Sequence, residues 1–325
     1  MDSTITNVNT QTSCLWPPSK RELYKLYWDS GLSTHKMAKI FKKTHEGVRY
    51  RMDKYQIPRR NTVDAAISAN TRHIKFPFDG DPTTKAYLLG FRTGDLTAHW
   101  YRRCIEVSTS TTHPAMVELF KNVFSRYGKV NVGPRYKRKH GSYFWALSVR
   151  LDNSFRFLIE KSKHVPSWIS SNPTFFLHFL AGYFDAEGTI YCYKHGNRAD
   201  FYIQIASTDL SLLEDIKNIA NTLGYDFKLT LSLPKGPGHG YGNSNKDYWS
   251  LRLYRDNSII SLIKKLPLMH REKLAIRELI LPVHNKEWCE VGHFIKSLRA
   301  KIKEETLNFV LMAKKEFNQK HACTH

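Results

Sequence analysis

Two short stretches carry the residues best suited to chemistry. One runs from Leu88 to Leu96 and ends in Gly94, Asp95, Leu96. The other runs from Leu180 to Gly188 and ends in Ala186, Glu187, Gly188. Each places small residues four apart, Gly90 with Gly94 and Gly182 with Ala186. Residues at that spacing share one face of a helix. A face of Gly and Ala lets a second helix approach backbone to backbone. Each stretch then sets a carboxylate just past the second small residue, at the helix end. If the two helices pack on each other, Asp95 and Glu187 meet. Adjacent carboxylates repel, and a divalent cation relieves the repulsion. Carboxylate and water oxygens suit Mg²⁺, with Mn²⁺ as a substitute. Such a cation can serve phosphodiester hydrolysis, with no Ser/His or Cys/His nucleophile required.

The elements that must position these acids are written as an internal repeat. Residues 105–119 align with 203–217, and 143–159 with 247–263. Trp145 matches Trp249, and Asp152-Asn153-Ser154 matches Asp256-Asn257-Ser258, both offset by 104 residues. In each copy an alternating strand ends at Asp-Asn-Ser, a helix N-cap signal. Each copy reads helix, two strands, helix, two strands, helix, an α+β unit with one helical layer on one sheet. Two tandem copies imply a pseudo-twofold within one chain. Apolar residues at Val291, Phe294, Ile295, Leu298 and Ile302 predict a further helix packing on the second copy. The expected divisions are a 1–16 tail, a 17–62 helical module, a 63–80 linker, units at 81–172 and 173–283, and a 284–325 extension.

The two nonapeptides resemble the LAGLIDADG motif, whose eighth residue is the catalytic acid. The second matches closely, while the first has Leu96 in place of the final Gly and carries Arg92 and Thr93 mid-motif. The resemblance covers roughly 81–283. It implies a single-chain, double-motif homing endonuclease: two pseudo-twofold-related αββαββα units forming a DNA-binding saddle, acting as a monomer. Such an enzyme cuts one phosphodiester per strand and leaves short 3′ overhangs. The resemblance also implies that the carbonyls of Gly94 and Ala186 join Asp95 and Glu187 as metal ligands. It places further pocket residues on the second strand, at Glu106 and Gln204 by the repeat alignment, offset by 98. It places a basic residue near the last helix of each copy: Lys161 or Lys163 in the first, Arg271 or Lys273 in the second. Surface solvation accounts for those four equally well. The same resemblance leaves open an intron maturase acting on RNA, and a DNA-binding regulator that does not cut.

Charge supports a polyanionic partner. The 325 residues hold 50 Lys+Arg against 29 Asp+Glu, a formal net charge of +21, well above the roughly 2–8 that keeps a small domain soluble. Duplex DNA contacts are expected from alternate residues on the sheets: Arg102, Arg103, Arg135, Lys137, Arg138, Lys139, Arg198, Tyr202, Lys228, Arg252 and Arg255. The N-terminal module adds Arg49, Arg51, Arg59 and Arg60. Its residues 19–28 read as a helix capped by Ser19 with Leu23, Tyr24 and Tyr27 on one face. A second helix from Ser33 buries Met37, Ile40 and Phe41, and a third over 44–55 turns Val48 and Met52 inward. The stretch resembles the helix-turn-helix of resolvase- and transposase-like domains. The Gly-rich run 235–243 reads as a hairpin loop and lacks the GK[ST] of a phosphate-binding loop.

No apolar run reaches the roughly 18–20 residues of a membrane span, and no signal peptide is expected, so the anticipated setting is cytoplasmic or organellar. Five scattered cysteines, Cys14, Cys104, Cys192, Cys289 and Cys323, point away from a disulfide framework. An intein is not expected, because His284-Asn285 is followed by Lys286 rather than a nucleophile.

Overall fold

The structure is a computed structural model that describes residues 16–29, 32–60, 75–138, 141–238, 242–283 and 286–322. The chain forms two compact units, residues 1–74 and 75–325.

The first unit holds helices α1 (Lys20–Tyr24), α2 (Thr34–Phe41) and α3 (His45–Lys54), with a single wide turn over Lys25–Asp29 extending α1. Each helix starts at a hydroxyl cap: Ser19, Ser33 and Thr44 accept from the backbone N–H three residues on, satisfying donors the helix cannot. Leu23, Tyr27, Met37, Phe41, Val48, Met52 and Ile57 make a small separate core. Tyr24 and Ile40 are exposed rather than buried. The widened turn at Lys25–Asp29 explains Tyr24, since it breaks the 3.6-residue period on which that expectation rested. Ile40 lies between Met37 and Phe41 on a helix too short to bury more than one stripe.

The second unit contains both repeats. The first runs through α4 (Pro82–Thr93), β1 (Thr97–Tyr101), β2 (Cys104–Thr111), α5 (Pro114–Phe124), β3 (Val130–Lys137) and β4 (Ser142–Leu151). It ends in a 3₁₀ turn, Asn153–Leu158, and the short α6 (Ser167–Ser170). The second runs through α7 (Pro173–Glu187), β5 (Gly188–His195), β6 (Arg198–Ser207), α8 (Leu210–Thr222), β7 (Lys228–Leu233), the small hairpin β8 (Gly236–Gly238) with β9 (Gly242–Ser244), β10 (Tyr248–Leu253), α9 (Asp256–Lys265) and α10 (Arg271–Val283). The sheets are antiparallel with matching orders, β1-β2-β4-β3 and β5-β6-β10-β7. Along β6 the burial alternates, with Phe201, Ile203 and Ile205 inward and Tyr202 and Gln204 on the open face. That period of two is what a sheet covered on one face requires.

The repeats differ where each final helix begins. Asp152 caps the 3₁₀ turn through Ser154 N, while Asp256 is already the first residue of α9 and Arg255 makes no side-chain cap. The first copy does not sustain a helix here because its apolar residues cluster at Phe155, Phe157, Leu158 and Ile159, then give way to charged residues and Pro166. Ile259, Ile260, Leu262 and Ile263 keep helical spacing in α9.

One continuous hydrophobic cluster joins both repeats. The last helix, α11 (Trp288–Ala322), spans 35 residues, about 52 Å. It buries Val291 and Ile295, leaves Phe294 exposed, and gives the Cys192 carbonyl of β5 a hydrogen bond from Arg299. It does not stop at the second copy, as its apolar spacing suggests. Farther along, Phe309 stacks on Trp145 of β4 at 5.0 Å and accepts its indole N–H at 3.0 Å, and Phe317 packs on Tyr136 and Tyr143. The helix is therefore a strap across both repeats. No helix among the described residues is long and apolar enough to cross a membrane.

Candidate active site

The site is built on the crossing of α4 and α7. A Cβ added at Gly90 would lie 1.9 Å from the Phe179 carbonyl oxygen, and one at Gly182 would lie 2.0 Å from that of Tyr87. The helices touch through bare backbone at two symmetric points, 92 residues apart in sequence (90 and 182). A Cβ at Gly94 would meet Ala186 Cβ at 2.3 Å and Glu187 Cγ at 3.2 Å. The small-residue faces thus bring the helix ends, and the acids that follow them, side by side.

Asp95 is open to solvent on its outer side and Glu187 is half-buried. Burial pushes both carboxyls above their ordinary range, and the neighbouring Asp95 charge pushes Glu187 up further. Two cations oppose this, Lys161 and Lys273, each acting on both acids. Of the four basic candidates these are the two brought to the site. Lys161 Nζ lies 3.4 Å from the Gly94 carbonyl. Lys273 donates to the Phe184 carbonyl and, at 2.6 Å, to that of Asp185. Burial depresses Lys273 to about 8, with Asp185, Asp95, Glu187 and Glu272 holding it up. Lys161 is lowered by burial and by Arg92. Lys163 makes no contact with the acids, and Arg271 is engaged elsewhere by Glu118 and Glu305.

Two buried groups escaped the sequence reading. Asp185, fully buried within α7, accepts Tyr87 Oη at 2.7 Å and Met269 N at 2.7 Å. It ties α4 to the segment that leads into α10, and so sets where Lys273 stands. Its signal was an acid inside an otherwise apolar helix. Arg92, also buried, donates to the carbonyls of Leu158 at 2.7 Å and Leu96 at 2.6 Å. These bonds hold the chain just after α4. They also account for Leu96. In the second copy Phe184 occupies the place of Arg92, and a Cβ at Gly188 would strike its ring at 2.1 Å. The first copy has no ring there, so Leu96 fits and is 2% exposed in the core.

Strand register corrects one pairing. Thr97 and Thr189 each follow their acid by two residues; Thr97 faces Ser108 and Thr189 faces Gln204. At the other end of the strands, Thr111 accepts from His113 N and Ser207 from Asp209 N, the same local turn. Thr111 pairs with Trp145 as Ser207 pairs with Trp249. The second strands are therefore offset by 96 residues (111 and 207), and the counterpart of Gln204 is Ser108, not Glu106. The 98-residue alignment slid by two because an alternating strand keeps its inward and outward faces under that shift. The 104-residue offset of the tryptophans stands. Glu106 instead pairs with Arg150 at 2.9 Å and lies 3.9 Å from His99. Gln204 accepts Arg252 Nε at 2.7 Å.

The remaining candidates are placed as follows. Arg102, Arg103, Arg135, Lys137, Arg138, Arg198, Lys228 and Arg255 are exposed, and Tyr202 and Arg252 are partly exposed on the open face. Arg49 and Arg59 are exposed, and Arg51 lies over Trp16. Arg60 is turned inward: it donates to the Tyr27 and Leu32 carbonyls and stacks on the Tyr27 ring at 4.1 Å. Its role is to close the N-terminal unit. Lys139, His284-Asn285, Cys14 and Cys323 lie outside the described residues. Cys104, Cys192 and Cys289 are free thiols.

Hard carboxylate oxygens under mutual repulsion fit a small divalent cation. No group of three or more His, Cys, Asp or Glu side chains converges among the described residues. Asp95 and Glu187 would therefore need backbone, water or ligand oxygens to complete a shell.

Two antiparallel α+β units, joined through small-residue helices that each end in an acid, constitute the LAGLIDADG fold. Residues 175–266 match the family model described as a LAGLIDADG-like domain, so the second repeat belongs to that family. An uncharacterized protein of Methanocaldococcus jannaschii is 24% identical over 183 residues. That alignment covers 52% of this chain and 64% of the relative, leaving more than a third of the relative unmatched. Solved structures similar to the chain include the homing endonuclease I-WcaI bound to its DNA recognition sequence, 16% identical, covering 57% of this chain and 80% of that one, TM-score 0.41. I-DmoI in complex with DNA and Mn is 17% identical over 57% of this chain and 96% of that one, TM-score 0.38. The N-terminal LAGLIDADG domain of WhiA is 14% identical over 59% and 84%, TM-score 0.40.

Proposed function

We propose that the protein is a site-specific, divalent-metal-dependent double-stranded DNA endonuclease acting as a monomer. The observation that carries this is the meeting of Asp95 and Glu187 at the ends of two helices in backbone contact, each acid heading one repeat. Asp95 and Glu187 would hold Mg²⁺ or Mn²⁺, with the Gly94 and Ala186 carbonyls contributing. A divalent cation there supplies Lewis acidity toward phosphate oxygens and water.

The chain's own groups supply the rest. Lys161 and Lys273 bring positive charge to both acids, where negative charge develops on a phosphate undergoing attack. Gln204, fixed by Arg252, orients a water at one acid, and Ser108 stands in the corresponding place at the other. The open faces of the two sheets bind the duplex, with Arg135, Lys137, Arg198 and Lys228 among the phosphate and base contacts. The helical N-terminal unit, through Arg49, Arg51 and Arg59, extends the contact.

The test is cleavage of a randomised or genomic duplex library with Mg²⁺, followed by sequencing of the ends. The wild type is expected to produce one class of double-strand break with short 3′ overhangs. Asp95→Asn and Glu187→Gln are expected to lose it while retaining binding. Full cleavage by either variant would sink the assignment.

A further inference from the structure

Lys273 stands in the first turn of α10, and that turn is held from three sides. Asp185 of α7 accepts Met269 N just before the helix. Arg271 reaches Glu118 of α5 at 3.2 Å and Glu305 of the α11 strap at 2.7 Å. Glu272 Oε1 lies 3.1 Å from His113 Nδ1, a contact between residues 159 apart in sequence. His113 occupies the N-cap position of α5 but makes no side-chain cap there. That position favours Ser, Thr, Asp and Asn; here its ring is turned to the other repeat. Thr306 Oγ1 of α11 is 3.4 Å from the same nitrogen and donates its own proton to the Ile302 carbonyl at 2.8 Å. Both neighbours of Nδ1 therefore accept, which places a proton on that nitrogen. The Glu272 side chain is only 14% exposed, so a carboxylate left there without its partner would be costly.

The turn that carries His113 recurs in the second repeat, where Asp209 fills the same place. Asp209, at the N-cap of α8, also makes no side-chain cap. The crossing is reciprocal. His113 of the first repeat bears on Lys273 of the second, and Asp209 of the second bears on Lys161 of the first, where its charge favours the ammonium. Resting on the reading that Lys273 serves the endonuclease site, we infer that His113 and Glu272 are positioning residues: through their bond the first repeat holds the lysine of the second against the paired acids. Neither touches the reacting atoms, and both act through Lys273. Glu272 fixes the rotation of the first turn of α10. Lys273, the next residue, is thereby presented to the Phe184 and Asp185 carbonyls that accept from it. Facing the pair are His270, Arg271 and Lys273, with Glu118 and Glu305 closing on Arg271. The lysine is thus set by α5, α10 and the strap together.

The experiment measures single-turnover cleavage of the duplex recovered by the library assay, and binding with Ca²⁺ in place of Mg²⁺. Glu272→Gln and His113→Ala should each slow cleavage, by up to about 10²-fold, and leave Kd unchanged. His113 is the safer site for folding, its side chain being 45% exposed. His113→Gln, whose amide can still donate to Glu272, should recover most of the rate. In a Lys273→Met background neither Glu272→Gln nor His113→Ala should cost more, because a residue acting through Lys273 then has nothing left to position. The same fold-loss in that background, or no loss when Lys273 is present, overturns the inference and leaves the endonuclease reading intact. The tie itself is read without DNA: urea midpoints of His113→Ala, Glu272→Gln and the double variant should be non-additive. Additive midpoints overturn the inference. A wild type that cuts no duplex overturns the endonuclease reading and takes the inference with it; the unfolding cycle tells the two failures apart.

Discussion

Asp95 and Glu187 stand where burial and each other's charge both disfavour ionisation. A carboxyl whose pKa is raised on folding stabilises the folded state below its ordinary value near 4 and loses that contribution as pH rises through the raised value. At neutral pH without a cation, both acids therefore cost stability. Glu187→Gln, and in the same direction Asp95→Asn, is expected to raise the metal-free Tm at pH 7, by about 2–4 °C for each kcal/mol regained. Mg²⁺ should raise the wild-type Tm and leave the double variant unmoved; calorimetry with and without Mg²⁺ checks both. Lys273 titrates from the other side. Held down to about 8 by burial, it loses its charge above that pH. Cleavage should show an alkaline limb near pH 8, which Lys273→Arg moves upward, because a guanidinium stays charged. Lys273→Met should cost on the order of 10²-fold in rate. A limb unmoved by the arginine would assign it to another group.

At the scale of elements, the crossing of α4 and α7 tolerates no side chain at its two glycines. Gly90→Ala and Gly182→Ala would drive a methyl into a carbonyl oxygen of the facing helix, which cannot rotate away. Each should lose about 1–3 kcal/mol or more in urea unfolding and abolish cutting. Gly133→Ala, with nothing within 4 Å, should leave stability unchanged and so provides the control. That crossing was legible in the sequence, because Gly90/Gly94 and Gly182/Ala186 follow helical spacing and the acids follow them. The strand pairing was legible in type but not in register. A two-residue slip preserves alternation, and the alignment is fixed by the strand pairings and by the shared turn at Thr111 and Ser207. Asp185, Arg92 and the choice of Lys161 over Lys163 depend on contacts between residues 66 to 98 apart in sequence, which spacing alone does not encode.

For the whole molecule, the helical N-terminal unit has its own caps and core. Deleting residues 1–62 should leave cutting in place, weaken DNA affinity, and flatten the dependence of log K on log salt by about 0.9 for every phosphate contact removed. An unchanged salt slope would count against a DNA role for that unit. The α11 strap carries a separate expectation. Truncation before Thr306 would strip Phe309 and Phe317 from Trp145, Tyr136 and Tyr143. The first repeat should then unfold more easily, with a change in tryptophan emission reporting it. One consequence concerns descent with modification. The two motif helices share the crossing glycines Gly90 and Gly182 and a carboxylate at their ends, while the open strand faces carry His99, Glu106 and Arg150 in one repeat and Tyr191, Tyr202 and Tyr254 in the other. Among the described residues no hydrogen bond or ion pair links Asp95 or Glu187 to these outward strand positions, so substitution at one need not disturb the other. A lineage built this way can change the address it visits while keeping the blade it carries.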